Sequence, residues 1–250
     1  MQKTHSTLSV LFTILFSLIV SPVFAQTNVS VMAGLAAHGN SGWDPYSLTL
    51  NFLAENYSQN TDCRFDGIYD FAKKYDGKGF MTDWNGSLSI YANSGIGIAS
   101  QGGYVYWRGN GWYKYNINGG IGLAQRWGIN DSINVRQHYL KTFFNYQESD
   151  RIRKITEKSI SVVYQRNFGI GYINEPLVWQ SHVRIGFDYQ LETNDPQYSN
   201  RKSVWWSFQR NIDDRWTLIL SQGLYLYQDP STQERLWSAR SDIMFGVRLK

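Results

Sequence analysis

Few side chains in this chain of 250 residues are arranged for chemistry. In HGNSGWDP, His38 to Pro45, an imidazole stands three residues before the hydroxyl of Ser41. A histidine that takes a serine proton creates a nucleophile for acyl transfer, provided the two groups reach hydrogen-bond distance. Residues on one face of a strand lie two apart, so a spacing of three joins His38 to Ser41 only where the strand has ended. A second set is cationic: Lys114, Arg136, His138, Arg184, Arg240 and Arg248, with Trp205 as an aromatic companion. Around one narrow cavity these cations would favour anions, and an indole would stack on a sugar ring. His38, His138 and His182 are too scattered for a zinc site by spacing. The glycines at Gly95, Gly97, Gly102, Gly103, Gly119 and Gly120 lack the strand-to-helix context of a phosphate loop and fit strand bends instead. No metal and no cofactor is expected.

The elements that must carry these residues are strands. In PLVWQSHVRIGFDYQLE, residues Pro176 to Glu192, one set of alternate positions reads Leu177, Trp179, Ser181, Val183, Ile185, Phe187, Tyr189 and Leu191, and the other Val178, Gln180, His182, Arg184, Gly186, Asp188, Gln190 and Glu192. Such alternation is an extended strand with an apolar and a polar face. It recurs to the carboxyl terminus, and strands are expected at 28–37, 45–57, 64–73, 80–92, 95–108, 111–129, 132–147, 154–167, 177–192, 200–212, 214–228 and 235–249. In the seventh of these, Ile133, Val135, Tyr139 and Phe143 share a parity against Asn134, Arg136, His138 and Thr142. That parity assigns the arginine and the histidine to the polar face. Turns at Asn93-Ser94, Asn130-Asp131 and Asp213-Asp214 are tight, while the links 38–44, 147–153, 194–200 and 228–234 on the opposite end are longer.

Many of these strands pass ten residues, longer than the usual five or six of a soluble β-protein. Trp179 and Tyr189 lie ten residues apart on one face. At a rise of about 3.4 Å and a tilt of roughly 40° that spans about 26 Å, the height of an outer-membrane apolar band. Trp127 and Trp216 fall near the short-turn end, Trp112 and Trp237 near the other. At the amino terminus, Lys3, an uncharged run from Leu8 to Val20 and the small residues before Ala25 read as a secretory signal peptide, 1–25, leaving 26–250 as a single barrel domain. After that region no run reaches the length of a transmembrane helix. The formal charge is +4, one unit of which is Lys3, a balance that argues neither for nor against a nucleic-acid partner, while export argues against one. The sole cysteine, Cys63, cannot form an internal disulfide.

An even number of antiparallel strands, short turns on one end and longer loops on the other resembles the small Gram-negative outer-membrane β-barrels as a class. The resemblance covers essentially the whole chain after residue 25 and implies an all-β, antiparallel transmembrane barrel of about twelve strands, ten being the next choice. It also implies location in the bacterial outer membrane, with outer-membrane lipids and the assembly machinery as partners. Such barrels commonly end in an aromatic residue, whereas this chain ends Phe245-Gly246-Val247-Arg248-Leu249-Lys250. The function expected is a porin-like channel for small polar or anionic solutes, saccharides included, lined by Lys114, Arg136, His138, Arg184, Trp205, Arg240 and Arg248. Twelve-stranded channels for acidic oligosaccharides are similar in architecture. The alternatives are a surface-facing acyl hydrolase and a structural or surface-interaction barrel. For the hydrolase, HGNSG is similar to the His-x-Ser-Asn-Gly segment of outer-membrane phospholipases and deacylases, with Asn40 and Ser41 in reversed order.

Overall fold

A long sheet leaves a row of unpaired backbone groups at each edge, and closing on itself pairs them while turning one face of every strand inward and the other out. The computed structural model shows this closure. It describes residues 28–39, 46–57, 60–71, 80–109, 112–130, 135–150, 155–171, 178–194, 199–212, 215–229 and 232–249. The strands are β1 (Asn28–Gly39), β2 (Tyr46–Tyr57), β3 (Thr61–Phe71), β4 (Phe80–Tyr91), β5 (Ile96–Gly109), β6 (Trp112–Asn130), β7 (Val135–Asp150), β8 (Ile155–Gly171), β9 (Val178–Thr193), β10 (Ser199–Asn211), β11 (Trp216–Gln228) and β12 (Arg235–Leu249). Each pairs antiparallel with its sequence neighbours, and β1 closes the ring on β12 from Val29↔Leu249 to Gly39↔Ala239. The twelve expected strands are therefore all present, the third starting at Thr61 rather than at 64.

The start of β1, the end of β12 and the described turn between β4 and β5 lie at one rim, which is the periplasmic rim in barrels of this pattern. The outer wall is apolar. Ile98, Ile121 and Leu123 are 65%, 73% and 69% exposed, and Ile185, Phe187, Tyr189 and Leu191 continue the band on β9. Trp127, Trp216 and Trp237 are exposed on the same wall, whereas the side chains of Trp112 and Trp179 lie outside the described residues. The inner wall carries the other parity of each strand, such as Asp62, Arg64, Asp66 and Asp70 of β3 and His182, Arg184, Asp188 and Gln190 of β9.

One parity is opposite to the expectation. On β7 it is Tyr139 and Phe143, each 2% exposed, that point inward, where they pack with Tyr91, Ala99 and Ala124. Leu140, Phe144 and Tyr146 face out. The physical reason is that the lumen is packed near the periplasmic rim and holds apolar layers of its own. A second such layer is Met32, Leu53, Ile219 and Met244. Alternation shows that two faces differ; it does not say which of them meets lipid.

Candidate lumen site

The inner wall is built from charged residues that meet one another. Near the periplasmic rim Arg64 donates to Glu55 Oε1, and Gln209 Nε2 donates to Glu55 Oε2 at 3.0 Å. His182 Nε2 stands 3.8 Å from the same carboxylate. These contacts cross the barrel, since β2 and β10 are separated by β1, β12 and β11. Two residues before Arg64 on β3, Asp62 accepts from both Lys141 and the Tyr91 hydroxyl, and the Arg126 guanidinium lies 4.3 Å from the Tyr91 ring centroid. Polar groups removed from water are tolerated here because each carboxylate has donors.

Above this layer runs a hydrogen-bonded belt of amides and hydroxyls that ends on one carboxylate. Gln101 Nε2 donates to Asn145 Oδ1 (2.7 Å), Asn145 Nδ2 to Ser161 Oγ (2.6 Å), and Ser161 in turn to Asp188, whose other oxygen accepts from Ser203 at 2.6 Å. The belt joins β5, β7, β8, β9 and β10. Beside it Trp205, paired across strands with both Gly186 and Gly223, lays its indole over Gly186. A Cβ at position 186 would fall 2.1 Å from the ring, so only glycine lets the indole lie against the wall. Arg184 sits 5.4 Å from the ring centroid. Nearer the outer rim, Glu157 accepts from Arg201 and from Gln190 Nε2 at 2.9 Å.

The remaining cluster holds His38. Its Nε2 is 2.9 Å from Ser47 Oγ and 3.5 Å from Asp70 Oδ2, and Asp70 is bound by Arg240 NH1 at 2.8 Å while Arg240 NH2 reaches Asp242 at 2.7 Å. The histidine expected to meet Ser41 thus meets Ser47, one residue into β2, and Ser41 itself lies outside the described residues. In an acyl-transfer relay the serine and the acid occupy different ring nitrogens. Here both contact Nε2, and the group faces the lumen instead of lipid, so the arrangement is a hydrogen-bond network within the wall.

The expected lining set divides. Arg184, Trp205 and Arg240 face the lumen. His138 does not: it lies on the outer wall, stacked on Trp127 at 5.3 Å with Nδ1 2.8 Å from the Tyr164 hydroxyl, because β7 has the reversed parity. Lys114, Arg136 and Arg248 belong to β6, β7 and β12, and their side chains lie outside the described residues. His38, His138 and His182 remain apart, on the outer-rim, outer-wall and periplasmic-rim regions respectively.

The residues that sequence reasoning did not select are Glu55, Asp62, Arg64, Asp70 and Lys141. Four signals were present in TDCRFDGIYDF and its neighbour: Asp62, Arg64, Asp66 and Asp70 share one parity, which excludes that face from lipid. Counting the described inward charges, Glu55, Asp62, Asp66, Asp70, Asp83, Glu157, Asp188 and Asp242 face Arg64, Arg126, Lys141, Arg184, Arg201 and Arg240. Acids are the more numerous, so the anion-favouring ring is not formed by these side chains.

No protein-family model matches the sequence, and comparison with curated proteins finds no match. Solved structures do match. The NanC porin superposes with a TM-score of 0.50 at 7% identity, over 88% of this chain and 100% of that one. The KdgM porin, solved in complex with disordered oligogalacturonate, gives 0.47 at 10% identity over 90% and 99%. LpxR from Salmonella typhimurium gives 0.45 at 8% over 86% and 99%. The chain has the fold of the outer-membrane β-barrels.

Proposed function

We propose that this barrel passes small uncharged polar solutes, saccharides foremost, across the bacterial outer membrane through a lumen crossed by the contacts of Glu55. Residues 1–25 are removed on export, and outer-membrane lipids and the assembly machinery are its partners. One observation carries the reading: beyond its apolar layers the described inner wall is polar, and Glu55, Asp62, Asp70, Glu157 and Asp242 are each tied to a cation. Such a wall offers hydrogen bonds along the path and little net field for an anion. Trp205, held against the wall by Gly186, supplies a flat apolar surface beside the Asp188 and Ser203 pair, a combination suited to the apolar face and hydroxyls of a sugar ring.

The test is swelling of proteoliposomes in neutral di- and trisaccharides, paired with reversal potentials in a planar bilayer. Swelling is expected for wild type, with an altered concentration dependence in Trp205→Ala and a reversal potential that is neutral or leans to cations. Vesicles that do not swell in any saccharide would overturn passage and leave the structural-barrel reading. A strong anion preference would overturn the balance of charges and restore a cationic pore.

A further inference from the structure

The outer wall beside the periplasmic rim is not uniformly apolar. On β8 and β10 the exposed side chains of Arg166 and Arg210 point outward. The cross-strand row Phe168↔Ser181↔Arg210 and the adjoining row Arg166↔Val183↔Phe208 place the two arginines on either side of β9. Two strand spacings across and two residues along separate their backbones by about 12 Å, within the joint reach of two long side chains closing on one phosphate-sized anion. Arg166 packs its guanidinium 4.8 Å from the Phe168 centroid, which holds it against the wall. On the other flank, the Trp127 and His138 stack and the His138 to Tyr164 hydrogen bond form a rigid polar-edged aromatic wall at the height where interfacial aromatics sit. Among the described residues of β6 to β10, no acid faces outward near this rim; Glu148 and Glu192 are at the opposite one.

We propose that this patch binds the headgroup of an anionic phospholipid in the periplasmic leaflet, with Arg166 and Arg210 on the phosphate and the aromatic wall against the glycerol region. The site is independent of any passage through the lumen. Charge complementarity favours this occupant over a neutral lipid, and the position at the periplasmic rim assigns it to the inner leaflet.

Full-length refolded protein in neutral detergent is titrated with dioleoylphosphatidylglycerol and, separately, dioleoylphosphatidylcholine, and bound lipid is read by native mass spectrometry. Each arginine near an anionic headgroup is expected to contribute about fivefold, so the anionic lipid should be retained roughly 25-fold more tightly. Arg166→Gln with Arg210→Gln should bring it to the level of the neutral lipid, while Lys158→Gln with Lys202→Gln, on the outer wall toward the other rim, should leave the preference intact. Salt near 1 M, where the Debye length is about 3 Å, should abolish the preference of wild type, a readout that needs no variant to fold. Equal retention of the two lipids, a preference that survives the arginine changes or the salt, or one lost with the lysines would overturn the proposal. So would a dimer that lipid does not displace and that the arginine changes dissociate, which would make the patch a contact between copies of this chain.

Discussion

Changing Glu55 to Gln should weaken the barrel and loosen its lumen together. The carboxylate is buried, accepts from Arg64 and Gln209, and faces His182 across the barrel. Removing one partner of a buried ion pair typically costs about 3–5 kcal/mol, because a charge is left uncompensated. In this protein Asp66 Oδ1 remains 3.2 Å from Arg64 Nε, so part of that charge stays answered. Glutamine can still accept from Gln209. The expected loss is therefore about 2–3 kcal/mol, read from urea unfolding in lipid vesicles by tryptophan fluorescence. Arg64→Gln alone should cost a similar amount, and the double change should cost less than the sum, since it removes both charges at once. Saccharide swelling should accelerate in Glu55→Gln, because a contact that crosses the lumen has lost its charge. The reasoning fails if the double-mutant cycle shows a coupling below about 0.5 kcal/mol, which would mean that Glu55 and Arg64 do not depend on each other.

Two further outcomes test the wall itself. Ile185→Arg puts a charge on the lipid side of β9 and should impair insertion by roughly 2–4 kcal/mol, whereas Gln190→Arg, inside beside Glu157, should be tolerated in heat-modifiable gel migration; equal behaviour at both positions would contradict the assigned faces. Gly34→Ala would bring a Cβ to 2.0 Å from the Ile243 carbonyl oxygen across the closing seam and should cost about 1–3 kcal/mol, seen as a lower unfolding temperature of the closed form, against no change if the seam does not limit stability.

The twelve strands were legible because alternation is a local property, written into each segment by the need for two faces. The inner surface was only partly legible. Lys141 could have corrected β7: it shares the parity of Tyr139 and Phe143, so assigning those aromatics to lipid also places a mid-strand ammonium there. The contacts that define the lumen were beyond local reading, since Lys141 finds Asp62 across 79 positions and Gln209 finds Glu55 across 154. Closure of the barrel decides such meetings, and no spacing within one strand encodes them. His38 shows the same limit at short range. Its serine partner was sought in the loop at Ser41, but the antiparallel return of the chain brings Ser47 to it instead.

The seam between β1 and β12 joins the first described strand to the last, Val29 beside Leu249. No other pairing in the fold spans so much of the chain, so closure carries the largest loop entropy and comes only after the final strand exists. Before then the sheet has two raw edges, each able to pair with a foreign strand. Folding is therefore decided at its end: a chain lacking its last strand is not a smaller barrel but an open, adhesive sheet, and the same chain becomes resistant to such pairing in the single step that removes both edges.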